Sequence, residues 1–243
     1  MPLNISSIIY KVFMSKKVML ITGASKGIGK SLLERYQDEY ECVTVHRSPG
    51  ATFQGNLVDW KFREEVIKNV NPDVVINNAG YTGFALWAIA VNGVAAAHLM
   101  MGFHKKMTRG TIINISSVRA GFEGYEKGPL TYESIAYNCG KAMASSASLN
   151  LANMRTKPVN VVCIEPGIVK TNMYPDMPDP QYVDENQWDP MLFTPLVPND
   201  IVNTIDWVLK QPPWINLSLI RMQSASKLDY IQASPTDDIL KND

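Results

Sequence analysis

The chain has 243 residues, 23 basic and 23 acidic, for a formal charge of zero, and 46% of them are hydrophobic. That length supports one domain with a full core, and no Gly/Ser linker or long charge run divides it. The charge balance argues against nucleic acid or an anionic membrane as the main partner, and the three cysteines and three histidines show no metal-ligand spacing, which fits reduced thiols in a cytoplasmic protein and leaves a metal mechanism unsupported.

Residues 1–15 read as an N-terminal extension, since "MPLNISSIIYKVF" has neither a basic start nor a small-residue cleavage site and "MSKKVMLITG" also begins plausibly at Met14. No apolar run is expected to be long enough to cross a bilayer. One domain is expected over residues 16–232. "KVMLIT" (17–22) is a continuous apolar run, as a strand buried on both faces requires. A helix from Gly27 to about Asp38 follows, then strands at "CVTVH" (42–46) and around "TFQGN" (52–56), and a helix from Asp59 to Val70. "DVVIN" (73–77) reads as a buried strand, followed by a helix through "AVNGVAAAHLMMGFHKKM" (90–107). "GTIINISS" (110–117) is the next strand, Tyr132 to about Arg155 the next helix, and "VNVVCIE" (159–165) the strand after it.

This alternation predicts an α/β, Rossmann-type doubly wound fold: a mainly parallel sheet of about seven strands with helices on both faces. Ligands of such sheets bind beyond the carboxyl ends of the strands. "NMYPDMPDPQYVDENQWDPMLF" (172–193) is proline-rich and aperiodic, so residues 172–195 read as a lid over the substrate. Its large apolar groups either contact substrate or cover the sheet. "VPNDIVNTIDWVLKQPPWINLSLIRMQ" (197–223) carries a helix, a proline turn and a last strand, and residues 233–243 read as a flexible tail.

Gly23, Gly27 and Gly29 fall where the first strand turns into the first helix. Glycine inside a helix costs about 1 kcal/mol against alanine, so the position must need the missing side chain. A dinucleotide pyrophosphate has that need, because it approaches the backbone closely and lies on exposed N–H groups at a helix N-terminus. Gly23, Ser25, Lys26, Gly27, Ile28 and Gly29 are therefore candidate cofactor-binding residues. A Cβ at Gly23 or Gly27 is expected to obstruct the turn, and one at Gly29 to hold the helix off the sheet. Cofactor selectivity is written about twenty residues on, where an acid would bind the ribose hydroxyls. Here "VTVHRS" has no acid but offers Arg47. With Lys26 it places two cations for a 2′-phosphate, favouring NADP(H) over NAD(H).

"AYNCGKAMA" sets Tyr137 and Lys141 four residues apart, on one face of a helix. "TGASKGIG" (22–29), "NNAG" (77–80), "VN" (91–92), "ISS" (115–117), "YNCGK" (137–141) and "PGIVKT" (166–171) occur in an order that resembles the short-chain dehydrogenase/reductase family over roughly residues 17–222. The resemblance implies an oxidoreductase that interconverts a secondary alcohol and a ketone. Tyr137 would exchange the proton, its pKa of about 10 lowered by the Lys141 ammonium. Lys141 would also hold the nicotinamide ribose, Ser117 the substrate oxygen, and Asn92 a water that relays protons through Lys141. Ser116 is a rival to Ser117, with family alignment favouring the second serine. The resemblance further places Asn56 and Leu57 beside the adenine, Asn78 as a polar clamp with Ala79 and Gly80 facing the adenosine, and Pro166, Gly167, Val169 and Thr171 around the carboxamide. It also implies a homodimer or homotetramer formed through the helices carrying Asn92 and Tyr137, a small-molecule carbonyl or alcohol as substrate, and no metal.

Two departures stand out. Asn78 to Asn92 is shorter than the family's spacing, and Ser117 to Tyr137 is longer through "AGFEGYEKGPLTYES". Both lean towards a sugar-nucleotide reductase or epimerase, whereas residues 197–223 resemble NADP-dependent 3-hydroxy acid and serine dehydrogenases. A non-catalytic dinucleotide-binding regulator is the third reading, against which the Ser-Tyr-Lys set argues. Arg119, two residues past Ser117, either faces solvent or pairs a substrate carboxylate.

Overall fold

A computed structural model of the chain describes residues 16–121, 131–173 and 194–225. The extension, most of the expected lid and the tail lie outside the described residues. Seven strands, β1 (Lys17–Thr22), β2 (Tyr40–His46), β3 (Phe53–Gln54), β4 (Val74–Asn77), β5 (Gly110–Ile115), β6 (Val159–Pro166) and β7 (Leu219–Met222), form one sheet. Its order is β3-β2-β1-β4-β5-β6-β7, and every pair is parallel. The order reverses between β1 and β4, which opens a crevice at their carboxyl ends.

Successive strand residues point to opposite faces, so each apolar strand feeds two cores. On one face Leu20, Val75, Ile112 and Val161 pack with Val66 of α2 (Trp60–Asn69), with Leu99, Met100 and Phe103 of α3 (Ala85–Lys106), and with Ala144 and Leu151 of α4 (Tyr132–Met154). On the other, Met19, Ile21, Ile76, Ile113 and Ile164 pack with Leu32 and Tyr36 of α1 (Gly27–Tyr36) and with Ile201, Ile205 and Val208 of α5 (Pro198–Leu209). Helix starts follow local chemistry. Asp59 caps α2 by accepting from Lys61 N at 2.9 Å. Thr131 and Ser134 form a reciprocal capping box that opens α4.

The first helix is shorter than expected, ending at Tyr36. The ring of Tyr36 is buried there, and its hydroxyl donates to Asp206 Oδ1 at 2.6 Å, tying α1 to α5. The third helix departs more. It begins at Ala85 and runs 22 residues, apolar and long enough to cross a bilayer, contrary to the sequence expectation. Its apolar stripe is core: Ala88, Ala95, Leu99, Met100 and Phe103 are all fully buried or nearly so. Residues Ala90–Ala95 within it widen to a π-helix centred near Asn92. There α3 and α4 meet closely, and a Cβ built on Gly140 would lie 2.9 Å from Asn92 Cβ and 3.1 Å from Ala88 O.

Candidate active site

A cavity of about 750 Å³ opens at the carboxyl ends of β1, β2, β4, β5 and β6. The expected cradle forms its floor. Gly23 has φ +72°, and a Cβ there would lie 2.9 Å from Ala79 Cα. Gly27 has φ +56° with ordinary space around it, so its backbone conformation and not a clash requires glycine. A Cβ at Gly29 would strike Gly23 O at 2.2 Å and Asn78 Nδ2 at 2.7 Å, the residues just past β1 and β4, so it would push the helix away from the strand ends as expected; Gly29 itself does not line the cavity. The N-terminus of α1 has no side-chain cap and no acid in its first turn, and Ser25, Lys26, Gly27 and Ile28 line the cavity beside it.

The turn after β4 locks onto this cradle. Asn78 Nδ2 donates to Thr22 O at 3.0 Å and Gly23 O at 3.4 Å, the clamp anticipated for Asn78. Thr22 Oγ1 accepts from both Asn78 N and Ala79 N at 3.0 Å, a role not singled out in the sequence. Asn78, Ala79 and Gly80 all line the cavity. At its far end lie His46, Arg47, Asn56 and Leu57. Arg47 is exposed there, as is Lys26, and His46 Nδ1 is buried with no hydrogen-bond partner among the described residues. Asn56 Oδ1 accepts from Val58 N at 3.1 Å, which bends the loop. Arg63, which sequence reasoning missed, holds the same loop by donating to the carbonyls of Leu57 and Val58. An arginine one turn past an N-cap aspartate was its sequence signal, and that signal looks like a surface charge.

The other end gathers Ser116, Ser117, Arg119, Tyr137 and Lys141. Ser117 is extended and caps a short turn, Val118–Ala120, its Oγ accepting from Arg119 N at 3.2 Å. The hydroxyl keeps its own proton as a donor. Ser116 Oγ is engaged elsewhere, 3.1 Å from Lys141 O and 2.7 Å from Ser145 Oγ. Of the two serines, Ser117 is therefore the one available to a ligand. Tyr137 and Lys141 lie one turn apart on α4 with the ammonium 5.8 Å from the ring centre. Lys141 Nζ is buried and donates to Ile115 O at 2.8 Å. Burial lowers its pKa from 10.5 to about 8, because the charged form loses hydration.

Asn92 sits apart from this group. Its Oδ1 accepts from Tyr81 N at 3.0 Å and its Nδ2 donates to Tyr81 O at 2.6 Å, so the side chain clamps the loop after β4 and does not line the cavity. Pro166, Gly167, Val169 and Thr171 line the remaining wall, fixed by Gly167 N donating to Met222 O at 2.7 Å. A buried network also escaped the sequence. Glu165 accepts from Ser145 Oγ at 2.8 Å and from Arg221 at 2.9 and 3.1 Å, and through Ser145 it reaches Ser116.

Comparison with known proteins places the chain in a family and matches its fold. The family model described as short chain dehydrogenase matches residues 17–181. A serine 3-dehydrogenase of Rhizobium radiobacter is 27% identical, over 86% of this chain and 94% of that protein. Among solved structures, the closed form of a serine dehydrogenase complexed with NADP+ superposes with a TM-score of 0.64 at 21% identity, covering 84% of this chain and 94% of that one. A 3-alpha-hydroxysteroid dehydrogenase of Pseudomonas sp. B-0831, complexed with NADH, gives 0.70 at 19% identity, covering 89% and 98%.

Proposed function

The chain belongs to the short chain dehydrogenase family, and from that premise we propose that it is an NADP(H)-dependent oxidoreductase interconverting a secondary alcohol and a ketone. One observation carries the reading. The Ser117 hydroxyl, the Tyr137 phenol and the buried Lys141 ammonium share a wall of the cavity whose floor is the glycine cradle. The cradle fits a dinucleotide: the approach at Gly23 excludes a Cβ, and the uncapped N-terminus of α1 offers its N–H groups to a pyrophosphate. When bound, the reduced nicotinamide supplies hydride to the carbonyl carbon.

Ser117 would donate to the carbonyl oxygen and polarise it, and Tyr137 would give the proton that the developing alkoxide needs. Lys141, its ammonium 5.8 Å from the ring centre, would stabilise the phenolate left behind. Because the Asn92 side chain is committed to Tyr81, a water relay past Lys141 would use the Asn92 backbone. At the other end Arg47 and Lys26 supply the cations for a 2′-phosphate, and none of the described residues lining the cavity is acidic. The similar serine dehydrogenase structure holds NADP+. The homo-oligomer expected from the family would cover Val94, Met101, Ile135 and Met143, which α3 and α4 expose.

The test is Tyr137→Phe, assayed by NADPH absorbance over a panel of ketones and secondary alcohols, with NADH as control and NADPH affinity measured separately. Turnover is expected to fall by about 10²–10⁴-fold, the worth of a positioned acid, with cofactor affinity within threefold of wild type. A fully active variant would sink the assignment.

A further inference from the structure

We propose that Arg63 and His98 position the adenine end of the cofactor site, and that His98 does so only while its ring is neutral, so that acid weakens cofactor binding. This rests on the reading of the cavity as a dinucleotide site. Asn56 and Leu57 line its far end, on the loop between β3 and α2. The loop is closed on itself by Asn56 O accepting from Asp59 N at 3.0 Å and Asn56 Oδ1 accepting from Val58 N at 3.1 Å. Two of its carbonyls, Leu57 O and Val58 O, accept from a single nitrogen, Nη1 of Arg63. Arg63 is only 5% exposed, so its remaining donors need partners inside the protein. Its Nε finds one on α3, donating to His98 Nδ1 at 3.0 Å. Leu99, Met100 and Phe103 anchor α3 in the core, so His98 ties the guanidinium, and through it the loop, to a rigid element.

This contact dictates the charge of the ring. An arginine keeps its proton and offers donors only, so Nδ1 must be the bare nitrogen of a neutral imidazole. The ring proton then sits on Nε2, where it donates to Glu64 Oε1 at 3.0 Å. A second proton, on Nδ1, would set N–H against N–H, bring two cations to hydrogen-bond distance and leave Arg63 Nε buried without its acceptor. The charged groups around the pair are Arg63 and Glu64, which touch the imidazole, and Asp59, which acts on the guanidinium from the start of α2. The Glu64 side chain is 54% exposed, so water screens its attraction for an imidazolium. The buried guanidinium is screened less, and its repulsion decides the outcome.

The experiment measures Kd for NADPH and NADH by fluorescence titration between about pH 5.5 and about pH 8, where histidines ordinarily change charge, in wild type, His98→Asn and His98→Leu. Asparagine puts an amide oxygen near the place of Nδ1 and does not titrate, whereas leucine removes the acceptor. For whichever cofactor binds more tightly, the ratio of the wild-type Kd to that of His98→Asn is expected to be about one at the alkaline end and about tenfold higher at the acid end, the worth of one hydrogen bond to a charged group. Titrations of the cofactor and of the other histidines are common to both proteins and cancel. His98→Leu should bind about tenfold more weakly than His98→Asn at every pH. Adenosine 2′,5′-bisphosphate, which occupies the adenine end alone, should repeat the dependence seen with NADPH. A ratio that ignores pH while cofactor binds would overturn the proposal and leave the dinucleotide reading standing. Binding of neither cofactor by folded wild type would sink that reading and the proposal with it. Proton–nitrogen correlation spectra of the His98 ring, taken without cofactor at the alkaline end, should show Nε2 protonated and Nδ1 bare; the opposite tautomer would overturn the proposal as well.

Discussion

Replacing Lys141 by methionine tests the electrostatics of the site through protein stability. The ammonium is buried, donates to Ile115 O at 2.8 Å, and has its pKa lowered from 10.5 to about 8 by loss of hydration. That difference corresponds to about 3 kcal/mol of unfavourable energy for carrying the charge in the folded chain. The unfolded chain holds the proton up to about pH 10.5 and the folded chain only up to about pH 8. Between these values the unfolded state binds more protons, so the stability of wild type rises with pH across that window and is at its lowest, and flat, below it. Lys141→Met has no such proton. At pH 7 it is relieved of the ~3 kcal/mol but leaves the Ile115 carbonyl without its donor, at a cost of about 1–3 kcal/mol. The variant is therefore expected to fold as stably as wild type at pH 7, or up to about 2 kcal/mol more stably. By pH 10.5 wild type gains about 3 kcal/mol on it, equivalent to about 6–12 °C in Tm for a chain of this size. Urea denaturation of both proteins from pH 7 to pH 10.5 measures the gap, in which titrations common to the two cancel. A gap that stays constant, or that moves in favour of the variant as pH rises, refutes the reasoning.

Two further outcomes are expected. Gly140→Ala puts a Cβ 2.9 Å from Asn92 Cβ and 3.1 Å from Ala88 O, so α3 and α4 must separate; thermal unfolding should show a loss of about 1–3 kcal/mol, and an unchanged Tm would mean that the helices approach less closely than described. Arg47→Ala should raise the KM for NADPH by about 10- to 100-fold, the worth of a charge-assisted pair with phosphate, and leave that for NADH unchanged; an equal rise for both cofactors would remove Arg47 from selectivity.

Motifs whose physical demand is local were legible in the chain. The glycine turn needs a positive φ at Gly23 and Gly27, and the helix that follows presents its N–H groups whatever lies beyond. Tyr137 and Lys141 share a face because helical spacing places them there. The buried strands announced themselves as apolar runs, and their alternation with helices left a parallel sheet as the economical solution. Groups whose partners sit on a loop, outside any helical or strand period, were not legible. Arg63 reads as a surface charge until the Leu57 and Val58 carbonyls are brought to it. Asn92 reads as a catalytic amide until its side chain is found closed on Tyr81. The start of α3 at Ala85 was missed because Phe84, Leu86 and Trp87 are exposed and break the expected apolar periodicity.

The sequence by itself determined the glycine turn, the spacing of Tyr137 and Lys141, and the class of fold, because each depends on dihedral preference or helical and strand period. Only the tertiary structure tied Ser116 to Lys141 O and Ser145, gave Gly140 its reason, and brought the Arg119 guanidinium to the Tyr137 ring. Those outcomes turn on which side chains meet across separate strands and helices, and packing in three dimensions, not chain neighbourhood, sets such meetings.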